Sequence, residues 1–123
     1  APFCVDCVPE VDYFNDKRAD IRIAYRNDFE LPIEIKRESN SSLWTALHKQ
    51  LIGQYAIAPN TGGRGVYLVL WFGKDDLPAS RDGGKKPKTP QELRARLEAT
   101  LDPEERTRIF VRVLDVSWPG GRQ

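Results

Sequence analysis

Ala19-Asp20-Ile21-Arg22-Ile23-Ala24-Tyr25-Arg26-Asn27-Asp28-Phe29-Glu30-Leu31-Pro32-Ile33-Glu34-Ile35-Lys36-Arg37 contains two alternating runs separated by a polar Asn27-Asp28. In the first run Ile21, Ile23 and Tyr25 share a face, with Asp20, Arg22 and Ala24 on the other. In the second, Leu31, Ile33 and Ile35 point inward and Pro32, Glu34 and Lys36 lie opposite. Period-two alternation around a short polar turn predicts an antiparallel hairpin. Pro32 has no N–H to donate, so it belongs where the second strand has no pairing obligation. With the turn centred on Asn27, facing residue numbers sum to about 54, which sets Asp20 opposite Glu34, with Lys36 on the same face. Two carboxylates and an ammonium then share one surface, an arrangement that a one-residue slip would undo.

That trio suits phosphodiester hydrolysis. Hard carboxylate oxygens hold Mg²⁺ or Mn²⁺ with positions left open for phosphate and water. The metal polarises the phosphoryl oxygen and acidifies a bound water, and a nearby lysine steadies the developing charge. The competing reading is plain: a Glu and a Lys on a solvated strand face, and an Asp at a strand start, are ordinary.

Downstream, Ser39-Asn40-Ser41-Ser42 supplies capping side chains, and Leu43, Leu47 and Leu51 recur every four residues. The pattern predicts an amphipathic helix to about residue 58. Val66–Phe72 is apolar on both faces, which predicts a central strand covered on both sides. Residues 73–88, rich in Gly, Pro, Asp and Lys, read as a mobile basic surface loop. Thr89 caps and Pro90 opens a second helix with Leu93, Leu97 and Leu101 inward. Residues 108–118 alternate as a last strand. Residues 1–18, with Pro2, Pro9 and scattered acids, read as an irregular lead-in. The order is β-β-α-β-α-β, a single α/β domain over 1–123.

Composition sets limits around this. At 123 residues, 40% of them hydrophobic, the chain can build one core and not two. A net charge of +1 lacks the basic excess of an obvious nucleic-acid binder. The longest apolar run falls far short of the roughly 20 residues of a membrane span. No leader pattern opens the sequence, so the cytoplasm is the expected compartment and no membrane partner is expected. A chain that opens on Ala1 and holds no Met reads as a piece of a longer polypeptide, with upstream domains. Cys4 and Cys7 form one C-x-x-C with only His48 as a further soft ligand, which leaves plain thiols, a local disulfide or half of a zinc site open. Gly83-Gly84-Lys85-Lys86 lacks the flanking strand, helix and spacing of a phosphate loop.

Asp20, then Ile33-Glu34-Ile35-Lys36 ending an apolar strand, then a helix and a buried strand, resembles the PD-(D/E)XK nuclease superfamily. The resemblance covers about 16–72 by motif and 89–118 by element order only. Ala19 stands where the named proline would be. It implies a restriction-endonuclease-like three-layer sandwich, with a mixed central sheet and helices on both faces. It further implies Asp20 and Glu34 as metal ligands, the Ile35 carbonyl as a third, and Lys36 acting on the attacking water. Gln50 resembles the helix glutamine of the exonuclease-like branch and would orient the scissile phosphate, or is a helix-surface residue. Tyr55 follows Gln50 by five residues, where that branch has four. His48 reads as a surface or packing residue, and Trp44 as a core residue rather than a base-stacking platform. The superfamily's preceding helix, which often adds a glutamate, has no convincing counterpart before Asp20; Glu10, Asp12 and Asp16 are the acids left to stand in for it.

The expected activity is Mg²⁺-dependent cleavage of DNA, with RNA open, by a domain of a larger bacterial defence or DNA-processing protein. A homodimer is one expected form. Phosphate contacts would come from Lys17, Arg18, Arg37, Lys49, Arg81, Lys85, Lys86 and Lys88. The rival is an inactive module of the same fold, used for nucleic-acid or protein binding.

Overall fold

The computed structural model describes residues 5–9, 21–26, 28–80 and 83–117. Five strands form one sheet in chain order: β1 (Val5–Pro9), β2 (Ile21–Tyr25), β3 (Phe29–Arg37), β4 (Gly65–Trp71) and β5 (Ile109–Asp115). β1, β2 and β3 are an antiparallel meander, whereas β3, β4 and β5 run parallel. Parallel neighbours need a crossover rather than a tight turn. A π-helix (Leu47–Tyr55) stands between β3 and β4, and α1 (Pro90–Glu98) between β4 and β5. The protein is therefore an α/β fold on a mixed sheet. Among the described residues no helix is long and apolar enough to cross a membrane.

The hairpin forms in the register expected for a turn centred on Asn27. Ile21 faces Ile33, Ile23 faces Leu31, and Tyr25 faces Phe29. The lead-in is not irregular throughout: Val5–Pro9 is a strand paired along β2, with Cys7 opposite Ile23. Its prolines concealed it, because Pro9 ends the strand rather than interrupting it. Cys4 lies outside the described residues.

Asn40 opens the next segment as an Asx turn, its side-chain oxygen accepting the Ser42 N–H at 2.8 Å. α-Type bonds from Ala46 to Ser42 and from Lys49 to Thr45 then give way to the wider i→i+5 bonding of the π-helix, as in Ala56 N–H to Leu51 O. Leu47, Leu51 and Tyr55 of this helix are buried, as is Leu43 ahead of it. The second helix follows its sequence signals. Thr89 accepts the Glu92 N–H at 3.1 Å, Pro90 takes the first turn, and Leu93 and Leu97 are fully buried.

Both helices pack on one face of the sheet. Leu51 sits where a side chain on Gly65 would be, and Tyr67 donates its hydroxyl to the Leu43 carbonyl at 2.6 Å. Leu93, Leu97, Ile109 and Val111 join the same core. Helices on both faces are thus not found among the described residues. Two expectations change with that. β4 alternates buried and half-buried residues rather than being covered on both sides. On β3 the buried residues are Pro32 and Glu34, while Leu31, Ile33 and Ile35 are half-buried. The helices cover the Glu34 side, so apolarity alone misassigned the inner face.

Residues 73–80 and 83–88 are irregular, as expected, but anchored. Leu77 is buried in the core, Pro78 O accepts the Trp44 indole N–H at 2.8 Å, and Arg96 donates to Lys85 O at 2.6 Å.

Candidate active site

β3 carries Glu34 and Lys36 on the helix-covered face, because alternate residues of a strand share a side. The two form an ion pair, Lys36 Nζ to Glu34 Oε2, at 3.0 Å, with side-chain exposures of 12% and 4%. The parallel register sets Glu34 beside Tyr67 and Lys36 beside Val69 on β4, giving the pair a largely apolar surround. Burial first, and the neighbouring Glu34 charge second, hold the Tyr67 phenol well above its ordinary range. Towards the hairpin, Arg22 and Glu30 make a second ion pair on the same face.

Glu38 was not singled out from the sequence. It is 1% exposed, and its carboxylate accepts three successive backbone N–H groups, those of Phe72, Gly73 (3.0 Å) and Lys74 (3.0 Å). Glu38 thereby ties the end of β3 to the exit of β4. The signal was a third charged residue at the same alternate spacing, Glu34, Lys36, Glu38, which continues past the last paired residue.

The other sequence candidates divide by position. Gln50 is half-buried on the π-helix, one turn after the buried Ala46, and no hydrogen bond joins it to Lys36 among the described residues. The i→i+5 bonding of this helix places residues five apart, such as Gln50 and Tyr55, on adjacent turns. Ile35 is half-buried on the strand between the pair. Arg37 projects on the opposite face, its guanidinium 4.7 Å over the Phe72 ring, so it is not part of the Glu34–Lys36 surface. Lys49, Lys85, Lys86 and Lys88 are exposed. His48 is half-buried, its Nε2 3.2 Å from Thr100 Oγ1 at the surface, and Trp44 packs against the core beneath Arg96. Asp20, Lys17, Arg18, Arg81, Glu10, Asp12 and Asp16 lie outside the described residues.

The donor chemistry bears on a metal. Mg²⁺ takes hard oxygen ligands, commonly one or two carboxylates plus water and substrate phosphate. Glu34 is such a donor, and Lys36 beside it offsets its charge in a buried setting. No group of three metal-ligating side chains occurs among the described residues. The second carboxylate expected from the sequence lies outside them. Asp20 is the candidate, next in sequence to Ile21, whose partner Ile33 precedes Glu34.

No curated protein and no solved structure matches the chain. A family profile described as a domain of unknown function (DUF8371) matches residues 3–74, more than half of the chain and the whole span from β1 through β4 with the Glu34–Lys36 pair. The chain belongs to the DUF8371 family.

Proposed function

We propose that this protein is a metal-dependent nuclease domain of the restriction-endonuclease-like kind, hydrolysing phosphodiester bonds of DNA. One observation carries the reading. Glu34 and Lys36, two apart on the strand that joins an antiparallel hairpin to a parallel crossover, are held 3.0 Å apart beside the core. The hairpin register, with Ile21 opposite Ile33 as expected for a turn centred on Asn27, supports it.

In this reading Asp20 and Glu34 hold Mg²⁺ or Mn²⁺, with the Ile35 carbonyl as third protein ligand. The bound cation supplies Lewis acidity and a more acidic water. Lys36 donates to the attacking water and to the charge that develops on the phosphoryl oxygens, a role favoured by its dry surround. Gln50 orients the scissile phosphate. Lys17, Arg18, Lys85 and Lys86 hold flanking phosphates without sequence preference, so affinity falls as salt rises.

The buried Glu34–Lys36 pair also favours a second reading, a non-catalytic module in which the pair is structural. Cleavage of linear and circular DNA and of RNA, with Mg²⁺, Mn²⁺ or chelator, separates the two. Glu34→Gln, Lys36→Met and Asp20→Asn are each expected to lower cleavage by roughly a hundredfold or more. Calorimetry should show Mn²⁺ binding that Glu34→Gln abolishes. Wild-type cleavage no greater than that of Glu34→Gln, with no Mn²⁺ binding by either, would leave the module.

A further inference from the structure

The face of the sheet opposite Glu34 is apolar in every strand from β2 to β5, and among the described residues no helix lies on it. Leu68 and Leu70 of β4 are half-buried there, and Phe110 and Leu114 of β5 are 38% and 53% exposed. An apolar sheet face is stable when another layer covers it, and a contiguous exposed one marks an interaction site.

Charge narrows the occupant. Arg37 and Arg112 are the charged residues among the described strand positions of this face, which holds no carboxylate. Both are exposed, and each guanidinium rests over a phenylalanine, Arg37 on Phe72 at 4.7 Å and Arg112 on Phe110 at 5.9 Å. The register puts Arg37 beside Leu70 and Arg112 beside Leu68, on opposite sides of β4. Two strand spacings, roughly 10 Å, separate β3 from β5, close to the width of one helix. The face is thus a Leu68–Leu70 floor between two basic rails. A second copy stacked on the same face would set arginines against arginines.

We propose that this face docks an amphipathic helix with acidic flanks, supplied by a partner polypeptide, its apolar stripe on β4 and its carboxylates on Arg37 and Arg112. The inference is independent of the nuclease reading, since it uses the other face of the sheet.

The probes are two labelled synthetic helices with the same leucine stripe, one flanked by glutamates and one by lysines, titrated against the whole chain by fluorescence anisotropy. The glutamate helix should bind at least tenfold more tightly than the lysine helix, and Arg37→Glu/Arg112→Glu should remove or reverse that preference. Leu114→Ser should weaken both helices without altering circular dichroism. Equal affinity for the two probes overturns the proposal. So does binding of neither, which means the face is covered from within. A sedimenting dimer that Leu114→Glu dissociates also overturns it, assigning the face to a second copy.

Discussion

Glu34 and Lys36 neutralise one another in a place that neither would occupy alone. Removing one partner of a buried pair strands a charge and costs about 3–5 kcal/mol, whereas replacing both is far cheaper. Urea unfolding of Lys36→Met should show a loss of that size, and Glu34→Gln/Lys36→Met should recover most of it. Additive losses would show that the two side chains are not coupled. Tyr67 makes a second residue-scale prediction. Its folded pKa is raised, so its contribution to stability is full below the ordinary phenol pKa of about 10 and is lost as pH climbs above it. Spectroscopic titration should reveal a tyrosine that ionises only as the fold opens, and Tyr67→Phe should abolish that component. The motif at 33–36 was readable because alternation is local; that Glu34 is 3% exposed was not, because burial depends on where the helices pack.

At the scale of elements, the π-helix is the least readable part. Leu43, Leu47 and Leu51 announce a helix, yet their spacing does not announce the change from i→i+4 to i→i+5 bonding. Gly53 marks it: a Cβ there would meet the His48 carbonyl at 2.9 Å. Gly→Ala in an exposed α-helix gains up to about 1 kcal/mol. Gly53→Ala should instead lower the melting temperature, and a rise would contradict the wide helix. Glu38 is a latch between strand ends. Glu38→Ala leaves three backbone N–H groups without their acceptor, at about 1–3 kcal/mol for each that stays buried. Thermal unfolding should show the loss. α1, by contrast, was readable from Thr89-Pro90 and its leucines, because caps and helical spacing act within one turn.

Across the whole molecule, one core joins the segment matched by the family profile to the rest. Leu43, Leu47 and Leu51 cluster with Leu93, Leu97, Ile109 and Val111. A chain ended after residue 74 loses β5 and α1, leaving β4 as a bare edge and taking Leu93, Leu97, Ile109 and Val111 out of the core that Leu43, Leu47 and Leu51 share with them. It should show no cooperative urea transition, and a native-like transition would contradict a shared core. Leu97→Ala, far from the Glu34 site in sequence, should cost about 2–5 kcal/mol in the same single transition.

The sequence by itself determined the hairpin and its register, the order of strands and helices after it, the second helix with its cap, and the pairing of Glu34 with Lys36 on one side of a strand. Those features rest on alternation, spacing and turn chemistry, which act between near neighbours. Only the tertiary structure decided that Val5–Pro9 joins the sheet, that both helices cover the Glu34 side, and that Glu38 binds the exit of β4. Each depends on contacts between segments distant in sequence, where apolarity shows that a face is to be covered but not which partner covers it.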